Sequence, residues 1–153
     1  MSKRKKNLCI VLEILLGLIL LAMVVLLWPA SIDDSGLVSF SVDQTSVTAQ
    51  EADFVLTNHT EHTMQWSDEY FIEKKGLFGW RKVIPVSVHS SAGYLKGRFG
   101  KGDSVVGIDW GDYYGKLARG TYRMVKEIWL NEKKYDTRSP IMEFYVAAEF
   151  TIP

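Results

Sequence analysis

The feature that constrains this chain most is "LCIVLEILLGLILLAMVVLLW", residues 8 to 28, in which Glu13 is the only charged side chain. At about 1.5 Å per residue a helix of that length covers roughly 30 Å, the hydrocarbon thickness of a bilayer. The run therefore predicts a transmembrane helix. Lys3, Arg4, Lys5 and Lys6 precede it and Asp33 and Asp34 follow it, so the excess of positive charge places the N-terminus in the cytoplasm and everything after Trp28 outside. Trp28 falls at the outer interface, and Pro29 ends the helix. A cleaved signal peptide shares the basic start, but its apolar stretch is roughly 7 to 15 residues, and the small residues required before a cut at Ala30 are replaced here by Trp28. An uncleaved signal-anchor is the reading. Glu13 lies near the cytoplasmic end, where it reaches toward Lys5 and Lys6 or is protonated; a contact with a partner helix is the alternative. The single cysteine, Cys9, stands at the beginning of the run, so the chain forms no internal disulfide and offers no thiol nucleophile outside the membrane.

The formal charge is balanced, 18 basic against 18 acidic residues, but unevenly placed. Residues 1 to 30 carry +3, and the remainder, with 14 basic against 17 acidic side chains, carries −3. An acidic domain without a basic run excludes nucleic acid as a partner, because phosphate binding rests on clustered Lys and Arg. The organisation read from these shifts is a cytoplasmic start at 1–7, a membrane helix at 8–28, a linker "PASIDDSG" at 29–36, and one extracytoplasmic domain at 37–153. Fully extended, that linker reaches at most roughly 25 Å, so the domain stays close to the membrane.

Beyond the linker no stretch sustains a helical period. Short apolar and aromatic runs bounded by Gly, Asn, Asp and Pro predict an all-β sandwich or barrel. Strands are expected near Leu37 to Val42, Ala52 to Thr57, Met64 to Trp66, Tyr70 to Lys75, Trp80 to Val86, Ser104 to Trp110, Gly120 to Leu130 and Met142 to Ile152. "EFYVAAEFTI" alternates Phe144, Val146, Ala148, Phe150 and Ile152 on one side, as a half-buried strand does. Gly76 and Gly79 in "EKKGLFGWRKV" flank a turn, predicting a hairpin. The Gly-rich stretch at 89 to 103 reads as an extended connection.

In "LARGTYRMV" the spacing of Leu117, Gly120 and Tyr122 resembles the tyrosine corner of Greek-key sandwiches, in which a Tyr near the start of a late strand bonds backbone a few residues upstream. The pieces "SVTAQEADFVLTNHTEHTMQW", "YFIEKKGLFGWRKV" and "RGTYRMVKEI", followed by a last strand ending "AEFTIP", resemble in their order the bacterial immunoglobulin-like domain of extracytoplasmic, often membrane-anchored proteins of Gram-positive bacteria. The resemblance covers about residues 38 to 152, and "SVVGIDWGDYYGKLARG" matches only loosely. It implies an immunoglobulin-like Greek-key sandwich of about seven to eight strands, preceded here by the transmembrane helix, and a cell-surface location. It implies no reaction, so function has to be argued from a site.

The sequence is poor in catalytic signatures. His59 and His62 in "HTEH" lie in a predicted turn, and with His89 elsewhere they fall short of the fixed three or four ligands of a zinc site. No G-x-S-x-G elbow, P-loop or dinucleotide fingerprint is present. Asp68, Glu69, Asp109 and Asp112 are the carboxylates of an acidic domain. "NHT" at 58 to 60 fits a glycosylation sequon that carries no meaning in such a bacterium. No cofactor or metal is expected. Aromatic residues are the remaining signal: Trp66, Trp80, Trp110 and Trp129, with Tyr70, Tyr94, Tyr113, Tyr114 and Tyr135, are many for one small domain. Most belong in the core, but in "DWGDYYGK" two adjacent tyrosines in a Gly-flanked loop do not both point inward, and exposed loop aromatics serve recognition. Tyr113 and Tyr114 are therefore the candidate partner-binding residues of a non-catalytic module for a protein or cell-wall glycan; capping the sandwich end or touching lipid is the plainer role. The alternative is a small membrane-tethered metal-dependent hydrolase that uses the His59 and His62 loop.

Overall fold

The computed structural model describes residues 3–26, 28–87, 95–130 and 142–153. Helix α1 spans Lys3–Leu26, a basic first turn followed by a Leu-rich run that contains Glu13 and a single glycine and no proline. Its described side chains, from Val11 to Val24, are all exposed. Among the described residues no helix is long and apolar enough to cross a membrane.

Eight strands follow among the described residues: β1 Val38–Val42, β2 Glu51–Asn58, β3 Met64–Gly76, β4 Gly79–Lys82, β5 Leu95–Phe99, β6 Gly102–Asp109, β7 Gly120–Leu130 and β8 Met142–Ile152. A short helix, α2 Gly111–Tyr114, stands between β6 and β7. One sheet has the order β1-β2-β6 and the other β4-β3-β7-β8, with β5 also pairing β3. All pairings are antiparallel. The two sheets form a sandwich because each strand supplies one apolar row. In β2 that row is Ala52, Phe54 and Leu56; in β8 it is Phe144, Val146, Ala148, Phe150 and Ile152. Phe54 packs on Phe40 at 5.1 Å and edge-on to Phe150 at 6.1 Å, and Phe150 in turn meets Trp110 at 5.2 Å and Tyr122 at 5.7 Å. These aromatic contacts tie both sheets to the corner before β7.

Several sequence expectations change. The two strands expected at Met64 to Trp66 and Tyr70 to Lys75 are one strand with a bulge, since β3 pairs β7 at Trp66↔Ile128 and resumes at Tyr70↔Lys126. The Ser67 hydroxyl accepts the Glu69 N–H at 3.1 Å and holds the bulge. The strand expected to run from Trp80 to Val86 ends at Lys82, with one more bond from the Val83 N–H to the Ile72 carbonyl at 2.8 Å. Pro85 has no N–H to continue the ladder. The stretch read as a connection contains β5, whose glycine has a specific use: a Cβ at Gly97 would collide with the Trp66 indole. Glycine here marks a ring lying on bare backbone. The same ring carries the Lys126 ammonium, 4.6 Å from its centroid; this buried lysine donates to the Ser67 carbonyl at 2.7 Å.

The polar stretch expected as a linker is bonded to the domain. The Ala30 N–H donates to Glu73 Oε1 at 2.8 Å, the Ala30 carbonyl accepts from Arg123 at 3.4 Å, and the Asp33 N–H donates to the Tyr145 carbonyl at 2.8 Å. Residues 30 to 33 thus lie along the outer face of the β3, β7 and β8 sheet. There Glu73 and Val125 are fully buried although their positions alternate with the core row, and the Arg123 Nε donates to Glu73 Oε2 at 2.6 Å.

Candidate functional site

A cleft of about 430 Å³ opens beside the β3 bulge, lined by Tyr70, Tyr113 and Tyr145 and by Asp68, Glu69, Asp109, Asp112 and Glu127, with Phe71 and Val125 at its floor. The bulge brings it about. Two extra residues in β3 push Asp68 and Glu69 out of the ladder toward the end of β6, where Asp109 and α2 arrive.

The short helix is set by its neighbours. The Trp110 indole is fully buried and donates to the Ala49 carbonyl at 3.0 Å, and its backbone N–H donates to Gln50 at 2.7 Å. Asp109 Oδ1 accepts the Gly111 N–H at 2.7 Å, and the turn closes at Gly115, whose φ of 65° suits glycine. From this turn Tyr114 points into the core and is 6% exposed, so of the two candidate partner-binding tyrosines only Tyr113 lines the cleft. One helical step of about 100° separates adjacent side chains, so Tyr113 turns instead to the cleft wall. It remains half-buried. Tyr70 meets Tyr113 at 6.0 Å and Tyr114 at 6.2 Å, and its hydroxyl donates to the Asp109 carbonyl at 3.1 Å. The Val86 N–H donates to the Tyr113 carbonyl at 2.8 Å and the Ser87 hydroxyl to the Asp112 carbonyl at 2.6 Å, which ties α2 to the chain after β4.

The electrostatics of the cleft are set first by burial and then by neighbouring acids. Burial, then the neighbouring Glu143 and Glu69, push the Glu127 carboxyl above its ordinary value. Burial and the same carboxylates, Glu127 foremost, push up the Tyr145 hydroxyl. Burial pushes Tyr70 up strongly, helped by Tyr114, Tyr113, Asp109 and Asp112. In each case burial is the first cause and neighbouring negative groups add to it, so a further negative charge is unfavourable there.

The other residues singled out from sequence fall elsewhere. The Tyr122 hydroxyl donates to the Ala118 carbonyl, four residues upstream, at 2.7 Å, with Tyr122 and Leu117 buried and Gly120 pairing Ile152 at the start of β7. That is the geometry of a tyrosine corner, and it is structural. His59 lies near 3.0 Å from the Ser39 hydroxyl on β1, while the His62 carbonyl accepts from the Asn58 side chain at 2.8 Å. The two do not converge on a cleft. Among the described residues no group of three or more His, Cys, Asp or Glu side chains has the placement to hold a metal ion. His89, Tyr94 and Tyr135 lie outside the described residues. Sequence reasoning missed Tyr70, Glu127 and Tyr145, which sit in β-strands and differ in no local pattern from solvent-facing positions.

Two sheets in this order, with a tyrosine-corner bond ahead of β7, give a sandwich of immunoglobulin type, and the model of the bacterial Ig-like domain matches residues 34–151. The chain belongs to the bacterial Ig-like domain family. No curated protein matches the chain. The family is generally non-catalytic, and membership suggests a surface module.

Proposed function

We propose that this bacterial Ig-like protein is a single-pass, membrane-anchored module of a Gram-positive cell surface that performs no reaction and binds a protein or cell-wall glycan partner. Residues 8–28 span the bilayer with the N-terminus in the cytoplasm, and residues 37–153 stand outside. The observation that carries the binding role is the cleft. Three tyrosines supply apolar area at low entropy cost, and five carboxylates select a positively charged group, such as a Lys- or Arg-bearing protein segment or an amine of the cell wall. The anchor is supported by the apolar run of residues 8–28 and the basic residues before it.

The test is a pull-down from the native envelope, together with co-sedimentation on purified cell wall, using the full chain as bait. Wild type is compared with Tyr113→Ala and with Asp112→Asn, which touch the cleft without opening the core as a change at Tyr114 does. A partner captured by wild type and lost in both variants, at unchanged thermal unfolding, supports the cleft. Capture by all three moves the site elsewhere, and capture by none leaves a structural role.

A further inference from the structure

The tip of the β3–β4 hairpin presents Leu77, 97% exposed, and Phe78, 89% exposed, between Gly76 and Gly79. Two adjacent bare apolar side chains at a turn are costly in water and serve no packing within the domain. Basic residues stand on the first rungs behind them: Lys75 is next to the turn, its ammonium 5.4 Å from the Trp80 ring centroid, and Lys74 pairs Arg81 one rung back, while Lys82 lies over Phe71 and the carboxylate of this stretch, Glu73, is paired with Arg123. A domain that is acidic as a whole is therefore locally basic at this tip.

The route of the N-terminal segment fixes which way the tip faces. Ala30 is bonded at the rung of Glu73 and Arg123, three residues from the turn at Gly76, whereas Asp33 is bonded at Tyr145, which pairs Glu127 farther from the turn. Followed back toward the helix, the chain leaves the sheet at the hairpin end. With about 3.3 Å per residue, four residues from Leu26 to Ala30 and four from Glu73 to Leu77 bring the end of α1 and the tip within roughly 26 Å of each other. The cleft, at the rung of Tyr70, opens about 20 Å back from the turn.

We propose that this hairpin tip is a second membrane contact: Leu77 and Phe78 enter the interfacial layer of the bilayer while Lys75 and Arg81 meet anionic headgroups. The inference rests on the reading of α1 as a bilayer anchor. A bilayer is the occupant that matches both halves of the tip, apolar side chains at the turn with Lys75 and Arg81 on the rungs behind, at the end of the domain where the anchor emerges. With the helix and the tip both held, the cleft faces away from the lipid.

The experiment uses the full chain with Cys9→Ser, carrying a polarity-sensitive fluorophore at Phe78→Cys or, as control, at Val105→Cys on the distant sheet. Each is reconstituted into vesicles of phosphatidylcholine with a minor fraction of phosphatidylglycerol and doxyl-labelled lipid. Because an interfacial group sits about 5 to 10 Å deep, quenching at position 78 is expected to exceed that at 105 by about threefold or more. Replacing Lys75→Gln and Arg81→Gln, each cation worth about fivefold in partition on an anionic surface, is expected to lower that ratio. Failure of the protein to float with vesicles overturns the anchor and the hairpin contact together. Flotation with equal quenching at 78 and 105 overturns the hairpin contact alone, and quenching unmoved by the charge variant overturns the headgroup role of the cations.

Discussion

The outer faces of the two sheets are built from similar strands and end in opposite states. On the β1, β2 and β6 sheet the face away from the core meets water: Ser39, Ser41 and Asp53 are exposed, Val105 is 70% exposed, and burial alternates residue by residue along β2. On the β3, β7 and β8 sheet the corresponding face buries Glu73 and Val125 completely, and β7 reads as three consecutive buried residues, Met124, Val125 and Lys126. The difference comes from chain outside the sandwich. Residues 30 to 33 lie along one face and donate hydrogen bonds to it, so carboxylate and guanidinium there have protein, and not solvent, as their surroundings.

The strongest way to break this contrast is Arg123→Ala. It leaves the Glu73 carboxylate fully buried with only the Ala30 N–H beside it, and a cost of about 3 to 5 kcal/mol in denaturant unfolding is expected. A loss below about 1 kcal/mol, the range of an exposed pair, would show that water reaches this face after all. Next comes Ala30→Pro, which removes the N–H donated to Glu73 Oε1 and is expected to cost about 1 to 3 kcal/mol by stranding a buried acceptor. Hydrogen exchange of the Asp33 amide, which bonds Tyr145, is the local readout, and protection should fall with it.

A smaller effect is expected in the cleft. The folded Glu127 carboxyl is raised above its ordinary 4.5, so its protonated form favours the folded state: that contribution is complete below pH 4.5 and is lost as pH rises through the raised value. Glu127→Gln should therefore raise the melting temperature slightly at neutral pH and leave it unchanged in acid, as paired thermal melts would reveal; a variant that is destabilised at neutral pH would contradict the crowding of acids. The smallest change belongs to the wet face, where Val105→Thr is expected to stay within about 0.5 kcal/mol of wild type.

Sequence alternation served well where water and core lie on opposite sides of a strand. The bounds of β7 and β8 follow from their apolar rows and from Gly120, and the β3–β4 hairpin follows from Gly76 and Gly79. It failed where tertiary contacts replace the local rule. In β3 the polar stretch Ser67 to Glu69 looks like a break and is a bulge within one strand; in β5 a glycine looks like flexibility and is the bed of the Trp66 ring. Tyr113 was legible because an aromatic pair in a Gly-flanked segment is conspicuous. Tyr145 and Glu127 were not, because their meeting with Tyr113 depends on how far β3 bulges, which no spacing in the chain encodes. The bonding of residues 30 to 33 was equally hidden: a backbone N–H leaves no mark in a sequence.

That last contact also orders events in time. The Asp33 amide is bonded to the Tyr145 carbonyl on β8, so Asp33 leaves the ribosome well before the residue it bonds. A strap of such high sequence separation is slow to close, because the entropy of the loop is lost before the contact forms. During synthesis the contact at Asp33 therefore stays open until β8 arrives, and closing it is the step that makes residues 30 to 33 part of the sandwich.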